Sequence, residues 1–215
     1  RIGWSAILRD RAALVRRARL VTGLILFAYV TTHLSNHALG LISLHAHEAG
    51  RLWMIAVWGG LIGTVALYGA LATHLSLGFY ALYRRRRLRM PPWEAAQLIL
   101  GLAIPPLLME HVIGTRLAYE LYGLQHTYTY VDLVLWVLAP EKLWQQIAVL
   151  LVAWVHGSIG MHFWLRLKPG YGRVLPFVYA AVLLLPVASL LGFVEGGREV
   201  RELAADPDWL AAAIE

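Results

Sequence analysis

The chain has 215 residues, 59% of them hydrophobic and 15% charged, with a net charge of +6. A soluble domain carries about 45–50% apolar and about 25% charged residues. Here the apolar residues come in runs of ~20 or more, long enough to cross a bilayer as helices. Composition therefore excludes a soluble globular domain and points to an integral membrane protein. There is no cysteine, which excludes disulfides, thiolate nucleophiles and thiolate-held metal clusters in this chain. The basic residues gather at helix ends, as membrane topology requires, so the positive charge does not indicate nucleic acid.

Residues 1–19 read as an amphipathic helix on the membrane surface, with an apolar stripe of Trp4, Ile7, Leu8, Leu14 and Val15 among arginines. Residues 20–194 then hold five predicted spans, at 20–44, 52–83, 94–122, 143–167 and 174–194. The second and third exceed ~20 residues, which implies tilt or projection beyond the lipid. The apolar stretch 131–138 is too short to span and reads as an interfacial or re-entrant piece. Residues 195–215 turn charged and Ala-rich and read as a solvated helix leading to further segments. The first apolar run is too long for a signal peptide and lacks a small-residue cleavage site.

Loop charge sets the orientation. Arg1, Arg9, Arg11, Arg16, Arg17, Arg19, Arg84, Arg85, Arg86, Arg87, Arg89, Arg166, Lys168 and Arg173 fall on one side, fourteen of the 19 Lys and Arg. The positive-inside bias puts the N-terminus in the cytoplasm. Trp53, Trp93, Trp144 and Trp164 near span ends suit the aromatic belts.

Nine histidines are the unusual feature, and most lie inside apolar runs. His33 and His37 fall in the first span, His74 in the second, His111 in the third, and His156 and His162 in the fourth. Singly, each fits a packing role, hydrogen-bonded to a neighbouring helix; together they argue for ligands facing the bundle interior. At ~1.5 Å per residue, His33, His37 and His111 lie roughly 20–25 Å from the cytoplasmic boundary. By that ~1.5 Å rise, His74 and His156 lie roughly 14–15 Å from it, and His162 about 6 Å. Two bis-histidine sites about 10 Å apart in level is the simplest arrangement, and it suits haem b. Covalent c-type attachment is excluded, because it needs cysteine.

Small residues recur beside these histidines: Gly78 and Ala70 near His74, Gly160 near His156, Gly114 near His111 and Gly40 above His33. They leave gaps for a flat ligand, and they equally suit close helix packing. Zinc fits less well, since carboxylates and thiolates are scarce among the spans and the histidines fall at two levels. At the outer end Asn36, His37, His45 and His47 are candidates for quinone oxygens, while His45 and His47 fit a solvated loop better. At the inner end Arg16, Arg17 and Arg19 suit propionates or anionic lipid, and Arg116 stands one turn above His111.

The segments at 31–37 (TTHLSNH), 74–80 (HLSLGFY), 111–116 (HVIGTR) and 156–160 (HGSIG) resemble the dihaem cytochrome b subunit of succinate:quinone oxidoreductases and fumarate reductases. That resemblance implies five spans and two haem b groups. It assigns His33 and His111 to an outer haem and His74 and His156 to an inner one, with His37 as an alternative ligand. The stretches LRMPPWEAAQLILGLAIPPLLMEHVIGTRLAYELYG and LLGFVEGGREV are similar, more closely, to the membrane anchor of proteobacterial class III adenylate cyclases. That likeness implies a bacterial inner-membrane location, a homodimer, and a cyclase domain on a longer chain reached through a sixth span.

Three functional readings follow. The first is a dihaem anchor that exchanges electrons with the quinone pool and regulates cyclic AMP synthesis by a cytoplasmic domain. The second is an electron-transfer subunit of a succinate dehydrogenase or fumarate reductase, partnered by flavoprotein and iron–sulfur subunits. The third is a haem-free polytopic anchor. The chain carries no nucleophile elbow, phosphate-binding loop or carboxylate pair of its own.

Overall fold

The computed structural model describes residues 4–85, 87, 89–124 and 127–214. Among them there is no strand. Four helical segments are long and apolar enough to cross a membrane: Leu61–Tyr83, Pro92–Tyr122, Pro140–Leu165 and Tyr171–Leu203. The chain is thus an all-α membrane protein. Leu61, Ile62, Ile99, Phe177 and Leu183 are exposed on outward faces, as acyl chains rather than water would favour.

Helix α1 (Trp4–Ala38) is uninterrupted, so no break divides a surface helix from the first apolar run at residue 19. The side chains of Trp4, Ile7 and Leu8, which carry the expected stripe, lie outside the described residues, as do residues 1–3, Arg86 and Glu215. A 3-10 turn, Leu39–Leu41, ends the helix well before residue 44. Leu44 instead begins α2 (Leu44–Met54), because Ser43 is extended and its hydroxyl accepts from the Ala46 N–H at 3.1 Å.

The second span is also shorter than its apolar pattern. Residues 52–54 close α2, a π-helical turn follows (Ile55–Gly59), and Gly60 is extended at φ −70°, ψ 170°. Only then does α3 (Leu61–Tyr83) run. Tilt is therefore not needed to explain the length of 52–83. Gly63 tucks against the backbone of Val57 and Trp58, a fold-back that a side chain would block.

α4 (Pro92–Val112) passes through a π-helical turn, Ile113–Leu117, into α5 (Ala118–Tyr122). Gly123 ends it in the left-handed region (φ 68°), its N–H bonding the Tyr119 carbonyl at 2.9 Å. The short α6 (Tyr128–Leu133) follows, with a π-helical turn at Val134–Leu138. α7 (Leu143–Leu165) matches the fourth predicted span closely. α8 (Tyr171–Leu203) continues nine residues past the expected end at 194, and α9 (Pro207–Ile214) completes the described chain.

α1 is central: it packs along α3, α7 and α8, while α4 lies along α7. At one end α2, α6, α9 and the last turns of α8 form a small cap over Leu44, Tyr128, Leu133 and Val200. Acidic side chains fix its helix starts. Glu199 accepts from the Leu44 N–H and Glu48 from the Tyr128 N–H, each at 3.0 Å, opposite the positive ends of α2 and α6.

Candidate functional site

α1, α3, α4 and α7 enclose a cavity of about 1300 Å³, and Leu190 and Phe193 of α8 close one side. Single-ligand pockets run to ~300–1,000 Å³, so there is room here for more than one flat group. His33, His37, His74, His111 and His156 all line it.

Two ring contacts join histidines of different spans, and His33 also meets His37, one turn along its own helix, at 4.7 Å. His33 of α1 and His111 of α4 have ring centres 5.9 Å apart and planes at 74°. His74 of α3 and His156 of α7 are 6.3 Å apart at 87°. Two imidazoles on opposite sides of one first-row metal, each bound at ~2.0–2.1 Å, place their ring centres about 6 Å apart. Among the described residues no group of three or more His, Asp or Glu is placed to hold a metal ion.

Hydrogen bonds set the tautomers. His74 Nδ1 lies 3.2 Å from the Arg19 carbonyl and 3.2 Å from Thr22 Oγ1. His156 Nδ1 lies 3.0 Å from the Gln97 carbonyl, and His111 Nδ1 lies 2.9 Å from Gln146 Oε1. A carbonyl oxygen only accepts, so Nδ1 carries the proton and Nε2 keeps its lone pair for a ligand.

The glycines divide by what they face. Gly78 and Gly160 line the cavity. A Cβ on Gly78 would meet nothing within 4 Å, and one on Gly160 only Gln97 Nε2, at 3.1 Å. Gly114 is exposed in the turn after His111 and does not line the cavity. Gly40 leaves no gap for a ligand: a Cβ there would strike the Gly192 carbonyl, because α1 and α8 touch backbone to backbone.

Two glycines missed in the sequence matter more. A Cβ on Gly23 would sit 3.1 Å from His74 Cε1, and one on Gly101 would sit 2.7 Å from His156 Cε1. Each glycine admits the histidine ring of the facing helix. Gly23 precedes His33 by ten residues, and Gly101 precedes His111 by ten. His74 and His156 each open an H-x-S-x-G pattern. This repeat, G-x9-H followed by H-x-S-x-G, was the available signal, and it describes two like hairpins, α1–α3 and α4–α7. Ten residues of helix put the two histidine levels about 15 Å apart, further than the ~10 Å of the sequence estimate. Phe27 lines the cavity between the levels and stacks on Trp154 at 5.3 Å.

The mouth of the cavity beside the first half of α1 is basic. Arg16, Arg19, Arg85 and Arg166 line it, while Arg17 is exposed and turned elsewhere. Arg85 is paired with Glu94 at 2.7 Å and Arg116 with Glu120 at 2.7 Å; Arg116 does not line the cavity. His162 also lies outside the cavity lining, its Nδ1 3.0 Å from the Tyr171 hydroxyl.

At the opposite end the solvated-loop reading fails for His47. It is fully buried in α2, stacked on Tyr128 at 3.3 Å and 5.2 Å from His37, because α6 folds over it. His45, on the opposite face, is exposed. Asn36 donates to the Tyr128 hydroxyl at 2.7 Å. Asp132 is fully buried, and neither carboxylate oxygen has a hydrogen-bond partner. Burial without a counter-charge raises its pKa to about 8 and lowers that of His47 to about 3.

Comparisons with protein-family profiles, with curated proteins and with solved structures return no match.

Proposed function

We propose that the chain is a membrane-spanning b-type cytochrome domain carrying two haems, one between His33 and His111 and one between His74 and His156. The observation that carries this reading is the pairing itself. Four histidines from four helices meet across helices at ring separations of 5.9 and 6.3 Å inside one cavity, with His37 as a fifth ring 4.7 Å from His33. When bound, haem supplies reversible one-electron transfer. The chain does the rest. Carbonyl groups hold His74, His111 and His156 with Nε2 free, and the apolar helices keep water out. Arg16, Arg19, Arg85 and Arg166 offer charge to an anionic edge at the inner mouth.

On this reading α1 is a fifth span. Its hydropathy is lowered by His33 and His37, which line the cavity, by buried Asn36, and by Thr31, Thr32 and Ser35, whose hydroxyls donate to carbonyls of their own helix. The arginine distribution supports a cytoplasmic N-terminus in a bacterial inner membrane. The outer polar group of Asn36, His37 and Tyr128 suits a quinone headgroup as electron partner. The resemblance to cyclase anchors, with the paired histidines, supports a role in which the haem redox state regulates cyclic AMP synthesis by a fused cytoplasmic domain of a dimer.

The experiment is cyclic AMP production by the full-length protein in membranes poised oxidised or reduced. A redox-dependent rate that is lost in His74→Ala and His111→Ala supports the sensing role. A rate independent of poise in a dihaem protein contradicts it, and copurification with flavoprotein and iron–sulfur subunits would favour the respiratory reading.

A further inference from the structure

The two hairpins use the same device at the inner level. The His74 anchor, the Arg19 carbonyl, lies fourteen residues before His33; the His156 anchor, the Gln97 carbonyl, lies fourteen residues before His111. Both are backbone groups that no side-chain change removes. The outer level breaks this symmetry. His111 Nδ1 is held by a side chain, Gln146 Oε1, at 2.9 Å, and Gln146 itself lines the cavity. Gln146 stands ten residues before His156 on α7. The matching position on α3, ten residues before His74, is Thr64, whose hydroxyl donates to the Gly59 carbonyl at 3.2 Å.

We infer that Gln146 is the positioning residue that orients His111 and sets the redox potential of the outer centre independently of the inner one. This rests on the reading of His33 and His111 as ligands of one haem. The physical reason is the push that an Nδ1–H···O bond gives to the ring. A proton shared with an acceptor makes Nε2 a stronger donor, which favours the oxidised metal, and loss of the bond favours the reduced one. Because the acceptor is an amide side chain, one substitution weakens it and another strengthens it. A carboxylate in the same place accepts a charge-assisted bond and pushes further.

The test is a redox titration of the purified chain, followed by visible absorbance, after haem has been counted per polypeptide. The variants are Gln146→Leu, Gln146→Glu and a control, Gln145→Leu. The control removes a neighbouring amide that donates to the Leu107 carbonyl at 3.2 Å rather than to His111. In Gln146→Leu one of the two steps moves up by at least a tenfold change in the reduced-to-oxidised ratio, about 59 mV for one electron. In Gln146→Glu the same step moves down, and in Gln145→Leu neither moves. Loss of one haem in Gln146→Leu with retention of both in Gln146→Glu also supports the assignment, since the carboxylate keeps the anchor. Two haems with both steps unmoved in both Gln146 variants overturns this inference and leaves the dihaem reading standing. Equal movement of both steps overturns it as well. A wild-type chain that folds without haem overturns the dihaem reading itself, and this inference with it.

Discussion

Gly101 of α4 lies directly beneath the ring of His156 on α7, so close that a Cβ would come within 2.7 Å of Cε1. Pro105 and Pro106 follow one turn later and supply no N–H, leaving the Gly101 and Leu102 carbonyls without their usual helical partners. Gly101→Val should displace His156 from its Gln97 anchor and remove the inner haem while leaving the outer one. Haem stoichiometry falling from two to one per chain is the expected readout, and retention of two would show that the ring has another route in.

The ring planes make a spectroscopic prediction. Imidazoles at 74° and 87° are close to perpendicular, and rings held so would leave the orbitals of a haem iron bound between them nearly degenerate. Both oxidised centres should give low-spin electron paramagnetic resonance signals of large anisotropy. A rhombic spectrum of near-parallel imidazoles would contradict this geometry.

Much of this site was legible in the sequence. Helix rise groups His33, His37 and His111 at one level and His74 with His156 at another, and the structure brings the rings of each group together. The boundaries of the fourth predicted span agree with α7. What escaped was decided between helices. Gly23 and Gly101 matter to rings on neighbouring helices, whereas the glycines first noticed were chosen along the histidine's own helix; Gly40 then proved to face α8. The break at Gly60 sits in the uniformly apolar run IAVWGGLIG, where hydropathy does not distinguish a turn from a span. The burial of His47 depends on α6 folding back over α2, a contact some 80 residues apart in sequence (Tyr128 N–H to Glu48).

The contact of α1 with α8 should be sensitive to a single methyl group. A Cβ on Gly192 would strike the His37 carbonyl, and this clash is with backbone, which has no rotamer to escape into. Gly192→Ala should cost on the order of 1–3 kcal/mol by overpacking and lower the thermal midpoint in detergent. Gly69→Ala, where a Cβ meets nothing within 4 Å, should be neutral or slightly stabilising.

Asp132 gives a pH dependence of definite sign. Its carboxyl pKa is raised to about 8 by burial, against ~3.9 unfolded. Below pH ~4 both states hold the proton and the residue is neutral to stability. Between pH ~4 and about 8 the folded state retains a proton that the unfolded state has released, so stability falls as pH rises. Asp132→Asn should therefore stabilise the protein increasingly as pH rises toward 8 and by little near pH 4. Thermal melts across that range check it; equal stabilisation at both ends would place the effect in packing rather than in the proton.

The central claim is that four histidines hold two haems. The most direct measurement is haem counted per polypeptide by pyridine haemochrome, with oxidised and reduced visible spectra, on the wild-type chain and on His74→Ala and His111→Ala. The account expects two low-spin b haems in the wild type and one in each variant, the inner missing from the first and the outer from the second. A folded wild-type chain that binds no haem when haem is supplied, or variants that both keep two, would contradict it.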